Sequence, residues 1–344
     1  MRLGCCSVTQ SPARRRPTIK DVAATAGVSR GTVSRVLNGG RWVSPAALVA
    51  VNEAIRSTGY SANSHARSLV TGRSNSVAFV LTEPQQLLFE DPTFSILLRA
   101  AAEALGTRGM PLLLMAAGTP EERRQITDYV GAGHVDGVLV ISSRAGSPVI
   151  SALRQRGVPT VACGTPLGFE GQIGYVEADE TGGARTMVRH LIDCGRQRIA
   201  TITGPLDTPG GVKRLAGYRS ELGDRFDESL VALGDYTREG GKRAMSELLA
   251  RRPDLDAVFV ASDLMAAGAL TALAGAGRRV PEDVAIGGFD DSGLAETLHP
   301  PLTTMRQPFK RIAQEMVRLL LEVIDGEEFA SITLPTTFVR RAST

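Results

Sequence analysis

Four stretches carry residue types whose spacing could do chemistry. Gly27-Val28-Ser29-Arg30-Gly31 fits G-x-S-x-G, the pattern by which a hydrolase presents a serine nucleophile on a tight turn. Gly131-Ala132-Gly133-His134-Val135-Asp136-Gly137 approaches the G-x-G-x-x-G of a dinucleotide site. Asp290-Asp291 is an adjacent carboxylate pair, and the cysteines and histidines are the natural metal ligands. Three of the four fail on inspection. The glycine string lacks its third glycine and precedes an apolar run instead of following one, and no G-x-x-x-x-G-K-[ST] occurs. Neighbouring carboxylates in a loop rarely form a catalytic dyad. Cys5, Cys6, Cys163 and Cys194 show no C-x-x-C spacing, and His65, His134, His190 and His299 are scattered, so neither a metal nor a cofactor is expected.

The G-x-S-x-G stretch is decided by the elements around it. Thr18 can cap a helix whose third residue, Asp21, suits the positive helix end, and Ile19, Val22 and Ala23 recur at helical spacing. That helix stops at Gly27. Ser29 can cap a second helix with Val33, Val36 and Leu37 on its apolar face, ended by Asn38-Gly39-Gly40. Ser44-Pro45 opens a third, with Leu48, Val51, Asn52 and Ile55 inward and Gly59-Tyr60 closing it. A nucleophile elbow needs a strand before its serine. Here a short helix precedes a three-residue turn, which is helix-turn-helix geometry.

Charge supports that reading. Residues 1–73 hold eleven Lys/Arg against two Asp/Glu, a net +9. The rest hold 28 against 34, a net −6, which leaves +3 over 344 residues. A basic head on an acidic body points to a polyanionic partner for the head. Hydrophobic residues make up 43% and charged residues 22%, ordinary globular values. No apolar run is long enough for a bilayer. The first residues lack the apolar core of a signal peptide, so a cytoplasmic location is expected. Residues 1–17 read as a disordered tail.

From Ser76 onward the pattern alternates. Apolar runs at 77–81, 111–115, 135–141, 160–163, 199–203, 257–261 and 284–289 are separated by helical stretches at 94–108, 120–130, 148–156, 184–194, 213–222, 240–251 and 264–274. Such alternation predicts an α/β fold with doubly wound parallel sheets, here as two lobes with a cleft between them.

TIKDVAATAGVSRGTVSRVLNG, followed by VSPA, TGY and NSHARSLVTGRS, resembles the headpiece of the lactose-repressor/galactose-repressor (LacI/GalR) family of bacterial transcription regulators. VDGVLVIS, GVPTVACGTP, PDLDAVFVASDLMAAGAL, RRVPEDVAIGGFDD, PPLTTMRQP and RRAST resemble the same family's core, which is similar to periplasmic sugar-binding proteins. The likeness runs over residues 18–344. It implies an all-α helix-turn-helix headpiece at 18–62, a hinge helix and linker at 63–75, and an effector-binding and dimerisation core at 76–344. Within the core it implies one lobe of about 76–177 and 306–333 and another of about 178–305 and 334–344.

The resemblance also implies roles. Arg30, Gly31 and Arg35 match positions that face base edges, and arginine offers guanine a bidentate fork worth roughly 1–3 kcal/mol of discrimination. Thr18, Ser29, Thr32, Ser34 and Asn38 match contacts to the DNA backbone. Asn63, Ala66, Arg67 and Leu69 match the hinge helix in the minor groove, with Leu69 as the wedge. Phe94, Arg214, Tyr236, Ser262, Asp263, Asp290 and Gln307 match effector contacts. Three departures stand out: Ala62 where the family commonly has proline, Ala47 and Leu48 where its third helix commonly carries Thr-Arg, and Thr165 after Gly164 where sugar-responsive members commonly have arginine. One polar sugar contact is then either absent or supplied by Glu177 or Asp179. The implied protein is a homodimeric repressor of carbohydrate genes. It binds a near-palindromic double-stranded operator and is released by a sugar; corepressor-type members also occur in the family. A solute-binding protein serving a transporter would explain residues 76–344 equally well but not the basic head. An enzyme is the more distant rival.

Overall fold

The computed structural model describes residues 17–37, 43–60 and 73–344. It divides into two compact units, at Ser74 and Asn75.

The first unit contains α1 (Ile19–Ala26), α2 (Arg30–Leu37) and α3 (Pro45–Thr58). Local chemistry sets their ends. Asp21 accepts from both the amide and the hydroxyl of Thr18, each at 2.7 Å. Gly27, at φ +64°, closes α1 in the left-handed region that side chains disfavour. Ser29 Oγ accepts from the Thr32 amide at 3.1 Å and Ser44 Oγ from that of Ala47 at 3.3 Å. Val22, Ala23, Val33, Val51 and Ala54 form the core. The inward face of α3 differs from the expected one: Leu48 is 45% exposed, Asn52 is exposed, and Ala54 is buried instead. With eight residues each, α1 and α2 reach about 12 Å, whereas the 14 residues of α3 reach about 21 Å.

The second unit holds two sheets. In chain order the first part supplies β1 (Val77–Leu81), α4 (Gln85–Glu90), α5 (Pro92–Gly106), β2 (Leu112–Ala116), α6 (Pro120–Tyr129), β3 (Gly137–Ile141), α7 (Pro148–Gln155), β4 (Thr160–Cys163) and β5 (Gly174–Ala178). The second part supplies α8 (Glu180–Asp193), β6 (Ile199–Thr203), α9 (Pro209–Leu222), β7 (Val231–Leu233), α10 (Arg238–Arg251), β8 (Ala257–Val260), α11 (Asp263–Gly275), β9 (Ala285–Asp290), α12 (Leu294–Thr297) and β10 (Thr303–Arg306). The chain then returns to the first lobe through α13 (Phe309–Ile324) and β11 (Ser331–Leu334), and ends in the second with β12 (Thr337–Val339).

Strand order is β11-β5-β4-β3-β1-β2 in one sheet and β12-β10-β9-β8-β6-β7 in the other. All pairings are parallel except β12 with β10. Each sheet is covered on both faces. Phe79, Leu81, Leu139 and Ile141 pack with residues of α5 and α13. The alternate residues Ala78, Val80, Val138 and Val140 pack with those of α6 and α7. That alternation is why these strands read as unbroken apolar runs.

Some boundaries moved. The strand expected at 135–141 starts at Gly137, because Val130–His134 winds into a π turn. The helix expected from Lys213 begins four residues earlier, where Thr208 caps it through the Gly211 amide at 3.2 Å and Pro209 fills its first turn. β5, β7 and β10–β12 are short or polar, and β11 joins its sheet only through β5, far back in the chain. The three passages between lobes follow β5, β10 and β11.

Candidate nucleic-acid interface and effector cavity

In the first unit Arg30, Gly31 and Arg35 are exposed on α2, while Val33 on the opposite side is fully buried. A Cβ on Gly31 would stand 3.9 Å from the Arg35 guanidinium, so the long side chain lies along the face that carries glycine. Glycine there lets a flat partner approach the helix closely. Ser29 and Thr32 share a hydroxyl–hydroxyl bond of 3.0 Å at the start of α2, and Ser34 is half-buried on it. Thr18 donates both its amide and its hydroxyl to Asp21 in the structure without DNA. Asn38, Asn63, Ala66, Arg67 and Leu69 lie outside the described residues.

In the second unit a cavity of about 880 Å³, open mouth included, lies at the carboxyl ends of the strands. Parallel sheets present ligand sites there, since their loops and helix starts converge on that edge. Phe94, Arg214, Tyr236, Ser262, Asp290 and Gln307 all line it. Arg214 is its charged centre. Its Nε donates to Glu180 and one Nη to the Ala261 carbonyl, which also stands 3.5 Å from Asp290 Oδ1. The guanidinium lies 3.9 Å from the centroid of the Phe289 ring. Burial alone would lower its pKa, but Glu180 and Asp290 hold it above its ordinary value. Arg214 and Asp290 both belong to the second lobe, so their pairing is not a bridge between lobes. Gln307 donates to Asp290 Oδ1 at 2.8 Å and so joins the same network.

Burial pushes Asp290 well above the carboxylate range. Arg214 opposes that rise and the nearby Asp263 charge adds to it. Its backbone sits at φ +124°, followed by Asp291 at φ +52°. Two consecutive non-glycine residues at positive φ are costly, and such strain concentrates at ligand sites. Tyr236, at φ +63°, places its hydroxyl 3.5 Å from that of Thr208, and burial pushes its pKa up to about 12. Ser262 Oγ caps α11 through the Met265 amide at 3.2 Å.

Asp263, unlike the others, is not among the residues that line the cavity. Its two oxygens accept from the Thr304 hydroxyl at 2.6 Å and the Asp291 amide at 2.7 Å, and it is 1% exposed. It braces the strained turn after β9 from below. Burial raises its pKa to about 7, against those hydrogen bonds. Asp179 also points elsewhere, capping α8 through the Gly182 amide at 2.8 Å. Glu177 does line the cavity and takes the Thr165 hydroxyl at 2.6 Å and Lys213 Nζ at 2.5 Å. The Glu177–Lys213 pair joins the lobes, as does Arg144 with Asp207 at 2.9 Å.

Sequence reasoning missed the first-lobe wall: Glu83, Asp91, Thr93, Ser142 and Ser143, together with Glu180 and Thr208 from the second. The signal was present, since each follows the end of a parallel strand or opens the next helix. Two hydroxyls on that wall, Ser143 Oγ and Thr93 Oγ1, are buried without a hydrogen-bond partner. Leu87, Leu97, Phe309 and Ile312 supply apolar surface. Polar forks around an apolar floor suit a ring compound with hydroxyls on its edge. Among the described residues no group of His, Cys, Asp and Glu could hold a metal, and no helix is long and apolar enough to cross a membrane.

Comparison with known proteins agrees with both halves. The model for bacterial regulatory proteins of the lacI family matches residues 18–63, and that for a periplasmic binding protein-like domain matches 188–344. The HTH-type transcriptional regulator CelR of Thermobifida fusca is 47% identical over 325 residues, covering 93% of this chain and 96% of CelR. A solved complex of CelR with cellobiose superposes with TM-score 0.77 at 44% identity, covering 96% of this chain and all of that one. The lac repressor dimer bound to operator and the anti-inducer ONPF superposes with TM-score 0.84 at 26% identity, covering 96% and 99%. These relatives are transcription regulators. Helix-turn-helix unit, two-lobed cavity and relatives over nearly the whole chain lead to one conclusion: the chain belongs to the lacI family of bacterial regulatory proteins.

Proposed function

We propose that the protein is a homodimeric repressor of carbohydrate-metabolism genes, released from a near-palindromic operator when a small sugar enters the cavity. One observation carries the reading. The same chain joins an exposed Arg30-Gly31-Arg35 reading face to a cavity whose Arg214, Asp290 and Gln307 fork faces an apolar floor. The base-edge role falls to Arg30 and Arg35, with Ser29, Thr32, Ser34 and Asn38 on phosphates and Asn63, Ala66, Arg67 and Leu69 in the minor groove. Phe94 and Tyr236 cover the sugar face. Asp263 acts by holding Asp290 in place. The CelR–cellobiose complex makes a disaccharide the first effector to try. A repressor responds only if effector binds its two states with different affinity, and a few kcal/mol of coupling is enough. The protein would work in the cytoplasm, where operator and effector meet.

Fluorescence anisotropy with DNA from upstream of its own gene tests this, at two salt concentrations with and without cellobiose and other sugars. Binding that falls steeply with salt and is abolished by one sugar is the expected result. Sugar binding without DNA binding at either salt would favour a solute-binding protein instead.

A further inference from the structure

The cavity is crowded with acids. Glu83, Asp91, Glu177, Glu180 and Asp290 line it, and among the described residues Arg214 is the sole cation that does. Arg144 and Lys213 stand behind the wall, already bonded to Glu83 at 3.2 Å and Glu177 at 2.5 Å. Arg214 is divided between Glu180 and Asp290. Five carboxylates thus meet three cations, and each cation is committed. One oxygen of Asp91 takes the Thr93 amide at 2.9 Å, and among the described residues its carboxylate has no ion pair. The orphaned groups on the wall are uncharged hydroxyls, Ser143 Oγ being part of a residue only 1% exposed.

We propose that the cavity selects its effector by charge, admitting an uncharged saccharide and rejecting its phosphorylated and carboxylate-bearing derivatives. This rests on the sugar-effector reading above. An anion would have to leave water for a space where every cation is already paired and the carboxyl groups outnumber the cations. The same environment already raises Asp91 and Asp290, burial being the main cause in both. A neutral sugar meets no such penalty, and its hydroxyls can satisfy Ser143 and Thr93 while its ring covers the apolar floor.

The test is calorimetric titration of the full-length protein, free of DNA, with cellobiose, cellobiose 6′-phosphate and cellobionate. Cellobiose is expected to bind, and each anion to bind at least 100-fold more weakly. In Asp91→Asn, whose amide oxygen can still cap α5, the gap should narrow by roughly tenfold. An anion that binds within tenfold of cellobiose overturns the proposal, and so does a gap unchanged in Asp91→Asn. If no saccharide binds, adenosine and its 5′-monophosphate are titrated next. Preference for adenosine keeps the charge rule and overturns the sugar reading; preference for the nucleotide overturns both.

Discussion

Arg214→Met keeps an unbranched, flexible side chain, a shorter one, and removes its charge. Arg214 is 6% exposed and Asp290 likewise, so solvent screens little of their interaction. The substitution leaves Glu180 and Asp290 without their cation and the Ala261 carbonyl without its donor. Breaking a buried pair from one side costs about 3–5 kcal/mol. For the 270 residues of the second unit that corresponds to a melting shift of roughly 5–9 °C. The deficit should depend on pH. Asp290 already sits above the carboxylate range, and without the guanidinium it rises further. The folded variant then holds a proton that the unfolded chain sheds, so its stability falls as pH rises. The gap to wild type should be widest at pH 8 and shrink toward pH 5. Urea unfolding of both proteins at pH 5, 6.5 and 8 measures this. A loss under 1 kcal/mol, or a loss equal at all three values, would refute the view of Arg214 as the counter-charge of this wall.

Three further outcomes follow from single residues. Arg30→Ala and Arg35→Ala should each remove about 1–3 kcal/mol of operator discrimination, read as a flattened preference across a library of single-base operator variants. Asp263→Asn leaves one acceptor for two buried donors and should cost about 1–3 kcal/mol. Burial raises Asp263 from 3.8 to about 7, so its contribution is complete below about pH 4 and lost as pH climbs to about 7; the variant should flatten that slope in a melting-temperature profile. Lys213→Met cuts the Glu177 bridge between lobes and should weaken effector binding several-fold at low salt. Because Lys213 is 29% exposed, the difference should shrink at 0.5 M salt in the same titration. Equal affinities at low salt would mean that the bridge plays no part in closure.

The two halves of the chain were legible to different degrees. The headpiece could be read almost residue by residue, because its signals are local. Thr18 with Asp21, Gly27 at positive φ, and Ser29 and Ser44 as caps lie within a turn of what they fix. Where that reading slipped, at Leu48 and Ala54, the cause was tertiary: which side of α3 is buried is set by its packing with Val22, Ala23 and Val33 of the other two helices. In the core the unbroken apolar strands announced doubly wound sheets. The short strands β10–β12 escaped notice because they are polar, and the edge strand β11 pairs only with β5, far back in the chain.

The cavity marks the dividing line. The family resemblance pointed to Arg214, Asp290 and Gln307 as effector contacts, and the sequence by itself determined the family, the alternation and the helix-turn-helix. Only the tertiary structure decided that Asp263 turns under the β9 turn while Asp290 faces the cavity, and that Glu83, Asp91, Ser143 and Glu180 complete the wall. The reason is geometric. Helix caps and turns join residues a few positions apart, whereas the wall is assembled from strand ends that parallel crossovers bring together. Which way each side chain points there depends on hydrogen bonds to those distant segments.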